Sequence, residues 1–595
     1  MKENNIIRFF KYVFFYVSLI IGISSCDLDV IPGDKIASDK FWTSEKDAWS
    51  NLNTVYSALM PGSGIYSDSF TDDVYCQYSW ESNGALFQTD GLNVGAGKDD
   101  LDPKWDFEGI RKANIFLKGV VNCPLDEEVK ERMKAEARFL RAYGYLSKTL
   151  QFGKVPIMTE PLIYDGPYVQ RNSVEEVRKF IIDELEAVSK ILPESYSGGY
   201  LYEKGRVTKY AAISMKARAA LYFGDYPMAE AAAEEVISSK KYSLFRVSSL
   251  NAVQQKEANE MDAYIDFAAL GIDKDKFVKG MFSYESLWHT ENANPDNPEY
   301  IMARQYMALK DYQNSTAYIR TRPNQLGGWS SITPTQSLVD AYWTADGELP
   351  NLPTIEQRKE YYSAIKQDRD TEGGAIYDFV QENVLPDPGK YDYIQEFRNR
   401  DSRLYVSIMI PYKGWYETNY GDQFVYEWLK GGNNESKTGF NFRKTLSLNK
   451  DIEIPDADGG AGDFPSIRYA EVLLIYAEAR TQNVGFDGRV QEVLNDIRDR
   501  CGMPDVPTSL SKEAGLELIQ RERRVELAGE GFRWHDMTRY SDEYWENAMN
   551  NLPLAGPDGE VLQINKWSSR MRLRPVPQLA IDANPLLVGD QNPGY

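Results

Sequence analysis

Residues 521–540, RERRVELAGEGFRWHDMTRY, hold the densest group of side chains able to do acid–base chemistry. Glu530, His535 and Asp536 are of the types that move protons in hydrolases, and Arg533 and Arg539 accompany them. The same residue types also build hydrogen-bonded ion networks at helix ends, where their role is structural. We prefer the ion network and predict that His535 belongs to it; a catalytic cluster is the alternative.

Metal chemistry has few candidate residues in this chain. With only two histidines, His289 and His535, a histidine-rich zinc site is excluded. The stretch DADGGAGD offers the carboxylates of Asp456, Asp458 and Asp463 to a calcium ion, but it lacks the EF-hand spacing, and turn chemistry explains it equally well. No cofactor is otherwise predicted.

The composition is that of a folded protein with an acidic surface. Hydrophobic residues make up 42% and charged residues 26%, and the net charge of -22 disfavours binding to nucleic acid. Aromatic residues reach 13%, which a large core with tyrosines at its edge explains; the alternative is a surface that stacks sugar rings. Beyond Cys26 the chain has three cysteines, Cys76, Cys123 and Cys501. They could form one disulfide, or all three could be buried thiols.

Helical hairpins are the elements that must position these residues. Apolar residues recur at three-four spacing in FWTSEKDAWSNLNTVYSALM, and Ser173 with Glu176 forms a capping box before another helix. TKYAAISMKARAALYFGDY and PMAEAAAEEVISS predict a hairpin whose alanines let two helices approach closely. IRYAEVLLIYAEARTQN and GRVQEVLNDIRDRCG predict a further hairpin, and residues 517–540 predict one more helix. The fold class is therefore mainly α, with a tetratricopeptide-like scaffold of helical hairpins.

Glycine, proline, asparagine and tryptophan become more frequent in the middle of the chain, where the predicted helices are shorter. We predict a signal peptide over 1–25, an N-terminal helical region over 26–245 and a C-terminal region over 246–595. The C-terminal region would contain a loop-rich, ligand-binding insertion over 246–460.

The N-terminus predicts a lipid anchor. Lys2, Arg8 and Lys11 precede an apolar run of about a dozen residues, which is short for a spanning helix. The sequence Ile-Ser-Ser-Cys resembles the lipobox of bacterial lipoproteins, although Ile23 stands where leucine is usual. Cys26 would then carry acyl chains such as palmitate, and the acidic residues after it resemble a surface-export signal. An ordinary signal peptide with a chance cysteine is the alternative.

Seven segments, in order along the chain, resemble successive blocks of the SusD/RagB family. They are KAEARFLRAYGYLSKTLQFGKVPI, GRVTKYAAISMKARAALYFGDYPMAEAAAEEVI, PTQSLVDAYWTADGE, NRDSRLYVSIMIP, IRYAEVLLIYAEAR, RERRVELAGEGFRWHDMTRY and RLRPVPQLAIDANPLLVGDQNPGY. Each alone is weakly specific, but seven in order together with the lipobox are specific. The resemblance runs from near Cys26 to Tyr595.

The resemblance implies a nutrient-binding lipoprotein of the outer membrane, lipid-anchored at the cell surface. Members of this family capture glycans, and some capture peptides, for a SusC-like TonB-dependent barrel transporter over which they lie. The family is not known for catalysis, so we predict a glycan-binding protein and no enzyme. A peptide-binding member is the first alternative. A glycoside hydrolase is a more distant one, because no motif supports it. A scaffold or adhesin built from helical repeats is another alternative, which the aromatic loops disfavour.

Family ligand sites lie in the loops after the first helix and in the central loop-rich part. There, aromatic rings would pack on sugar faces while amides, carboxylates and arginine bind hydroxyl groups. Trp80 and Trp329 are the first candidates, because each lies in a loop beside glycine, asparagine or serine. The other candidate ligand-binding residues are Tyr75, Tyr78, Asn83, Trp288, Arg320 and Trp415.

Overall fold

The computed structural model describes residues 42–60, 62, 64–95, 104–161, 167–196, 204–289, 291–307, 319–416, 424–444, 446 and 461–595. The predicted signal peptide, the predicted lipidation site Cys26, and Asp456 and Asp458 lie outside the described residues. Cys76, Cys123 and Cys501 are buried free thiols. No helix in the described ranges has the length and apolar character needed to cross a bilayer.

Helices supply most of the regular structure. They are α1 (Glu45–Leu59), α2 (Ile65–Asp68), α3 (Gly84–Gln88), α4 (Glu108–Gly119), α5 (Glu127–Phe152), α6 (Val174–Ser189), α7 (Lys209–Phe223), α8 (Tyr226–Ser239), α9 (Ala252–Glu260), α10 (Phe267–Leu270), α11 (Lys274–Ser286), α12 (Gln336–Ala341), α13 (Ile355–Glu372), α14 (Ile376–Phe379), α15 (Asp392–Glu396), α16 (Leu404–Ser407), α17 (Tyr469–Val484), α18 (Gly488–Arg500), α19 (Lys512–Glu526), α20 (Arg533–Met537), α21 (Asp542–Met549) and α22 (Gln578–Ala583).

The strands are short and lie between or beside the helices. They are β1 (Val74–Cys76), β2 (Tyr300–Arg304), β3 (Ile332–Pro334), β4 (Ile408–Met409), β5 (Gly414–Trp415), β6 (Phe424–Val425), β7 (Asn441–Phe442), β8 (Phe464–Arg468), β9 (Pro553–Ala555) and β10 (Val561–Ile564). They pair as antiparallel two-stranded ribbons, β1 with β3, β2 with β8, β4 with β7, β5 with β6 and β9 with β10.

The long helices form the predicted scaffold of stacked hairpins. Helix α1 packs on α4, α4 on α5, α5 on α6, α6 on α7, α7 on α8, and α8 on α17, which also contacts α18 and α19. Ser44 and Ser173 cap α1 and α6 with capping boxes. Helix α7 ends at Gly224, whose φ of 79° is left-handed, and Asp225 caps α8. The expectation of a mainly α, hairpin-built fold is confirmed.

The chain has two large hydrophobic cores. The first buries the facing surfaces of the stacked hairpins, including the alanines of α7 and α8, and the second lies under the loop-rich middle of the chain. The first core also takes residues from β2, β8 and α17, so it draws on both predicted regions, whose boundaries stay a prediction. The loop-rich middle contains more helix than expected, since α13 has 18 residues.

The prediction of a single helix over residues 517–540 is wrong. Helix α19 ends at Glu526, and α20 begins at Arg533. Between them, Gly529 and Gly531 have φ of 73° and 90°, which ordinary residues rarely adopt. A side chain at Gly531 would also meet the backbone of Gly64, with Cβ 2.4 Å from its carbonyl oxygen. Only glycine fits at position 531, because the chain passes so close to the Gly64 backbone at this turn.

The charged residues around this turn form an ion network, as we preferred over a catalytic cluster. Glu526 accepts from Nη1 of Arg403 at 3.0 Å and from Nη1 of Arg468 at 2.7 Å, and it also pairs with Arg500. All four side chains are buried. His535 is not an ionic member of this network, contrary to the prediction: burial lowers its pKa to about 4, so the imidazole is neutral at physiological pH, and its Nδ1 has no hydrogen-bond partner among the described residues.

The flanking acids and bases predicted for this network are also paired to one another. Asp536 accepts from Nη2 of Arg523 at 2.8 Å and from Nη2 of Arg539 at 2.9 Å. Glu530 accepts from Nζ of Lys444 at 2.7 Å, and Arg533 donates to Asp72 at 3.0 Å. The network therefore joins α19 and α20 to distant parts of the chain.

Candidate functional site

The β1–β3 ribbon brings two aromatic loops together. Its register pairs Val74 with Pro334 and Cys76 with Ile332, and it is continued by the Gln77 amide, which donates to the Ser331 carbonyl at 2.9 Å. The Gln77 side-chain amide also donates to the carbonyl oxygens of Trp329 and Ser330, at 3.2 and 2.7 Å. The loop that follows β1 is therefore fixed against the loop that precedes β3.

Three rings from these loops make one surface, which we call the aromatic cluster: Tyr78, Trp80 and Trp329. The rings of Tyr78 and Trp80 are stacked, with centroids 5.7 Å apart and planes 21° apart. Trp329 meets Trp80 edge to face, at 6.2 Å and 65°. Trp80 is 53% exposed, and the other two rings are half-buried. The cluster is an apolar corner open to solvent.

Arg320 lies between the two indoles of the cluster. Its Cζ atom is 5.1 Å from the centroid of Trp80 and 4.2 Å from that of Trp329. The backbone carbonyl of Arg320 accepts from the Ile332 amide at 3.1 Å, and its guanidinium forms an ion pair with Glu81. A cation held against two ring faces orients both of them.

The carboxylate of Glu81 is buried beside the cluster. One oxygen pairs with Arg320, and Oε2 has no hydrogen-bond partner in the described part of the chain. Burial raises the pKa of Glu81, against the opposite influence of Ser331 and Arg320. Burial and the charge of Glu81 raise the pKa of Tyr66 to about 12. A hydrogen-bond acceptor therefore lies next to the apolar corner.

A third loop supplies polar groups at the edge of the cluster. The Tyr78 hydroxyl donates to Oδ1 of Asn434 at 3.1 Å. Asn434 has a left-handed φ of 56°, which asparagine tolerates better than most residues. Its neighbour Glu435 is buried, and burial raises the pKa of Glu435 to about 7. Amide, phenol, guanidinium and carboxylate groups thus surround the three rings.

The other predicted ligand residues divide into two pairs. Tyr75 lies half-buried in β1 opposite Thr333, and Asn83 is buried just before α3, so both are near the cluster along the chain. Trp288 and Trp415 are buried and make no ring contact with the cluster among the described residues. Trp288 is buried with Lys444 Nζ 4.6 Å from its ring, and Trp415 is buried with Arg443 Cζ at 4.8 Å. These two rings face buried cations and offer no open face to a ligand.

Two polar residues of the site were not among the sequence candidates. Glu81 follows Trp80 directly, and a charged residue next to a loop tryptophan was the available signal. Asn434 lies in a glycine- and asparagine-rich loop with nothing to distinguish it from turn residues. For the calcium alternative, the described part of the chain holds Asp463, which accepts from the Tyr306 amide at 3.0 Å. Burial raises the pKa of Asp463 to about 7.

Comparisons with known proteins give consistent matches along nearly the whole chain. The family model described as the SusD family matches residues 285–595. A second model, described as starch-binding associating with outer membrane, matches residues 28–221. A SusD-like protein, P38, of Formosa agariphila is 22% identical over 560 residues, covering 88% of this chain and 90% of the relative.

Two solved structures from Bacteroides fragilis resemble the fold. A SusD-like protein aligns with a TM-score of 0.73 and 24% identity, covering 94% of this chain and 99% of the other. A SusD-like carbohydrate-binding protein aligns with a TM-score of 0.65 and 21% identity, covering 92% of this chain and 99% of the other. The helical scaffold and its loop-rich middle are therefore shared with these proteins.

Proposed function

Since the chain belongs to the SusD family, we propose that it captures a glycan at the aromatic cluster and delivers it to a SusC-like, TonB-dependent barrel transporter in the outer membrane. It acts by binding, without catalysis. The descriptions of the second matching family and of a similar structure, starch-binding and carbohydrate-binding, support the ligand class.

The observation that carries this proposal is the open corner between Trp80 and Trp329. Their centroids are 6.2 Å apart with the ring planes at 65°, and Trp80 is 53% exposed at this corner. The CH face of a sugar packs on such a ring, while its hydroxyls need donors and acceptors at the rim. Arg320, Glu81 and Asn434 are placed to supply these groups.

Calorimetric titration of the full-length chain against a glycan panel tests the proposal. We expect one glycan class to bind, and the double variant Trp80→Ala, Trp329→Ala to weaken that binding at least about 30-fold, because each lost stacking contact contributes about 1 kcal/mol or more. Tyr168→Ala removes an aromatic side chain that is 60% exposed and lies outside the cluster, and it serves as the matched control.

The same titration separates the alternatives. Binding of peptides in place of glycans would identify the peptide-binding type, and release of reducing sugar from a bound glycan would indicate a hydrolase. Full affinity in the double variant would move the site away from the cluster. Absence of binding to any glycan or peptide would overturn the proposal.

The membrane location rests on Cys26 and on the second matching family, which is described as associating with the outer membrane. We expect the intact mass to match a mature chain that begins at an acylated Cys26. We also expect Cys26→Ser to release the protein from the membrane fraction. Co-purification of a barrel protein with the parent tests the transporter partnership. An unlipidated cysteine would overturn the anchor and leave the glycan site untouched.

A further inference from the structure

A cavity of about 390 Å³ lies at the opposite end of the β1–β3 ribbon from the aromatic cluster. At this end the Thr335 amide donates to the Asp73 carbonyl at 2.9 Å, whereas the cluster lies beyond Cys76. The cavity is bounded by α12, the start of α13, α19 and β9. Leu352 and Leu552, which are 46% and 43% exposed, lie among its lining residues. It is thus an amphipathic cavity.

Two of the three arginines in this cavity already have carboxylate partners. Arg358 donates to Oδ1 of Asp340 at 2.7 Å and to Glu396 at 2.7 Å. Arg524 donates to Oδ2 of Asp72 and to Oδ1 of Asp73, both at 2.7 Å. The two carboxylates that line the cavity, Asp72 and Asp340, are therefore held by these arginines.

Arg521 is the third arginine, and it has no carboxylate partner among the described residues. Its Nη1 atom donates to the backbone carbonyl of Ala341 at 3.0 Å, and its Cζ atom is 5.2 Å from the ring centroid of Trp343. Nε and Nη2 have no acceptor in the described part of the chain. Burial, together with repulsion from Arg524, lowers the pKa of Arg521 to about 10, so the side chain is still charged at neutral pH.

We propose that this cavity is a second ligand site for a molecule that carries a carboxylate beside an apolar face. Nε and Nη2 of Arg521 form the pair of parallel donors that binds a carboxylate in bidentate fashion. Ligand binding would cost the guanidinium little conformational entropy, because Ala341 and Trp343 already hold it in place. The leucines then cover the apolar face of the ligand.

The test uses the full-length chain with Trp80→Ala and Trp329→Ala, which is expected to weaken sugar binding at the aromatic cluster. Glucuronate, hexanoate and glucose are titrated separately. We expect saturable binding of at least one carboxylate and none of glucose. Binding of glucuronate alone identifies a sugar acid as the source of the carboxylate, and binding of hexanoate alone identifies an aliphatic acid.

Substitution of Arg521 locates that binding. Arg521→Gln is expected to weaken carboxylate binding at least about tenfold, as loss of a charged hydrogen-bonding partner does. Arg521→Lys keeps the charge but not the paired donors, so its affinity should fall between the two. Arg246→Gln changes an exposed, ion-paired arginine elsewhere and should have no effect. Absence of carboxylate binding, or parent affinity in Arg521→Gln, would overturn this site while leaving the glycan proposal standing.

Discussion

The guanidinium carbon of Arg320 lies 4.2 Å from the centroid of the Trp329 ring, and the same guanidinium pairs with buried Glu81. The cation thus connects the half-buried Trp329 ring to a buried carboxylate. The orientation of the Trp329 ring therefore depends on this charge pair as well as on the loop that carries it.

Arg320→Ala is expected to weaken glycan binding about tenfold, because the rings lose the cation that orients them. It should also lower the free energy of unfolding by about 1–3 kcal/mol, since Glu81 would remain buried without its cation. Calorimetry and urea unfolding measure the two effects. Adding Glu81→Gln should restore stability and not affinity. Parent affinity in Arg320→Ala would show that the ring angle does not matter.

Glu435 makes stability depend on pH. Burial raises the pKa of Glu435 from 4.5 to about 7, so between these values the folded state holds a proton that the unfolded chain has released. The free energy of unfolding therefore falls as pH rises from about 4.5 to about 7. Glu435→Gln should be more stable than the parent at pH 8, by up to about 3 kcal/mol, and equal to it at pH 4.

Urea unfolding at both pH values checks this prediction. Burial also raises the pKa of Asp463 to about 7, so the parent alone does not isolate Glu435. The difference in free energy of unfolding between parent and Glu435→Gln does isolate Glu435, because Asp463 is the same in both. An equal difference at pH 4 and pH 8 would contradict a proton on Glu435.

Glu526→Gln is expected to lower the free energy of unfolding by about 3–5 kcal/mol, because it leaves Arg403, Arg468 and Arg500 buried with one carboxylate fewer. The urea midpoint gives the change. Glu127→Gln removes an exposed partner of Lys130 and should leave the midpoint unchanged. If both variants unfold at the parent's midpoint, the buried network does not stabilise the fold.

Gly531→Ala should destabilise the fold by about 2–4 kcal/mol, since a Cβ atom would lie 2.4 Å from the Gly64 carbonyl oxygen and φ is 90°. Gly224→Ala is the matched control. Its φ is 79° and nothing lies within 4 Å of its Cβ position, so it should cost about 1 kcal/mol from backbone strain alone. Thermal unfolding ranks the two variants, and equal losses would mean that the α19–α20 turn does not require the close approach.

The scaffold was predictable because its signals are local. Three-four spacing, capping boxes and small residues such as Ala219 and Ala229 belong to single helices and hairpins. The break between α19 and α20 was missed because periodic apolar residues continue through Gly529 and Gly531, and the steric demand comes from Gly64, which is distant in sequence.

The site was only partly predictable for a similar reason. Trp80 and Trp329 were proposed from loop composition, but a three-residue strand carries no periodic signal that would predict the β1–β3 pairing. Loop composition also does not tell which ring faces the core. Trp288 and Trp415 have similar surroundings in sequence, yet they pack on buried cations contributed by remote segments.

The β1–β3 ribbon also determines at what stage of folding the aromatic cluster can form. Gln77 and Trp329, which it connects, are 252 residues apart. A nascent chain cannot display the aromatic corner until more than half of its length has emerged and this pairing has closed. A chain cleaved and separated between the two loops has no corner at all. Ligand binding therefore reports that the segments around Gln77 and Trp329 belong to one folded unit.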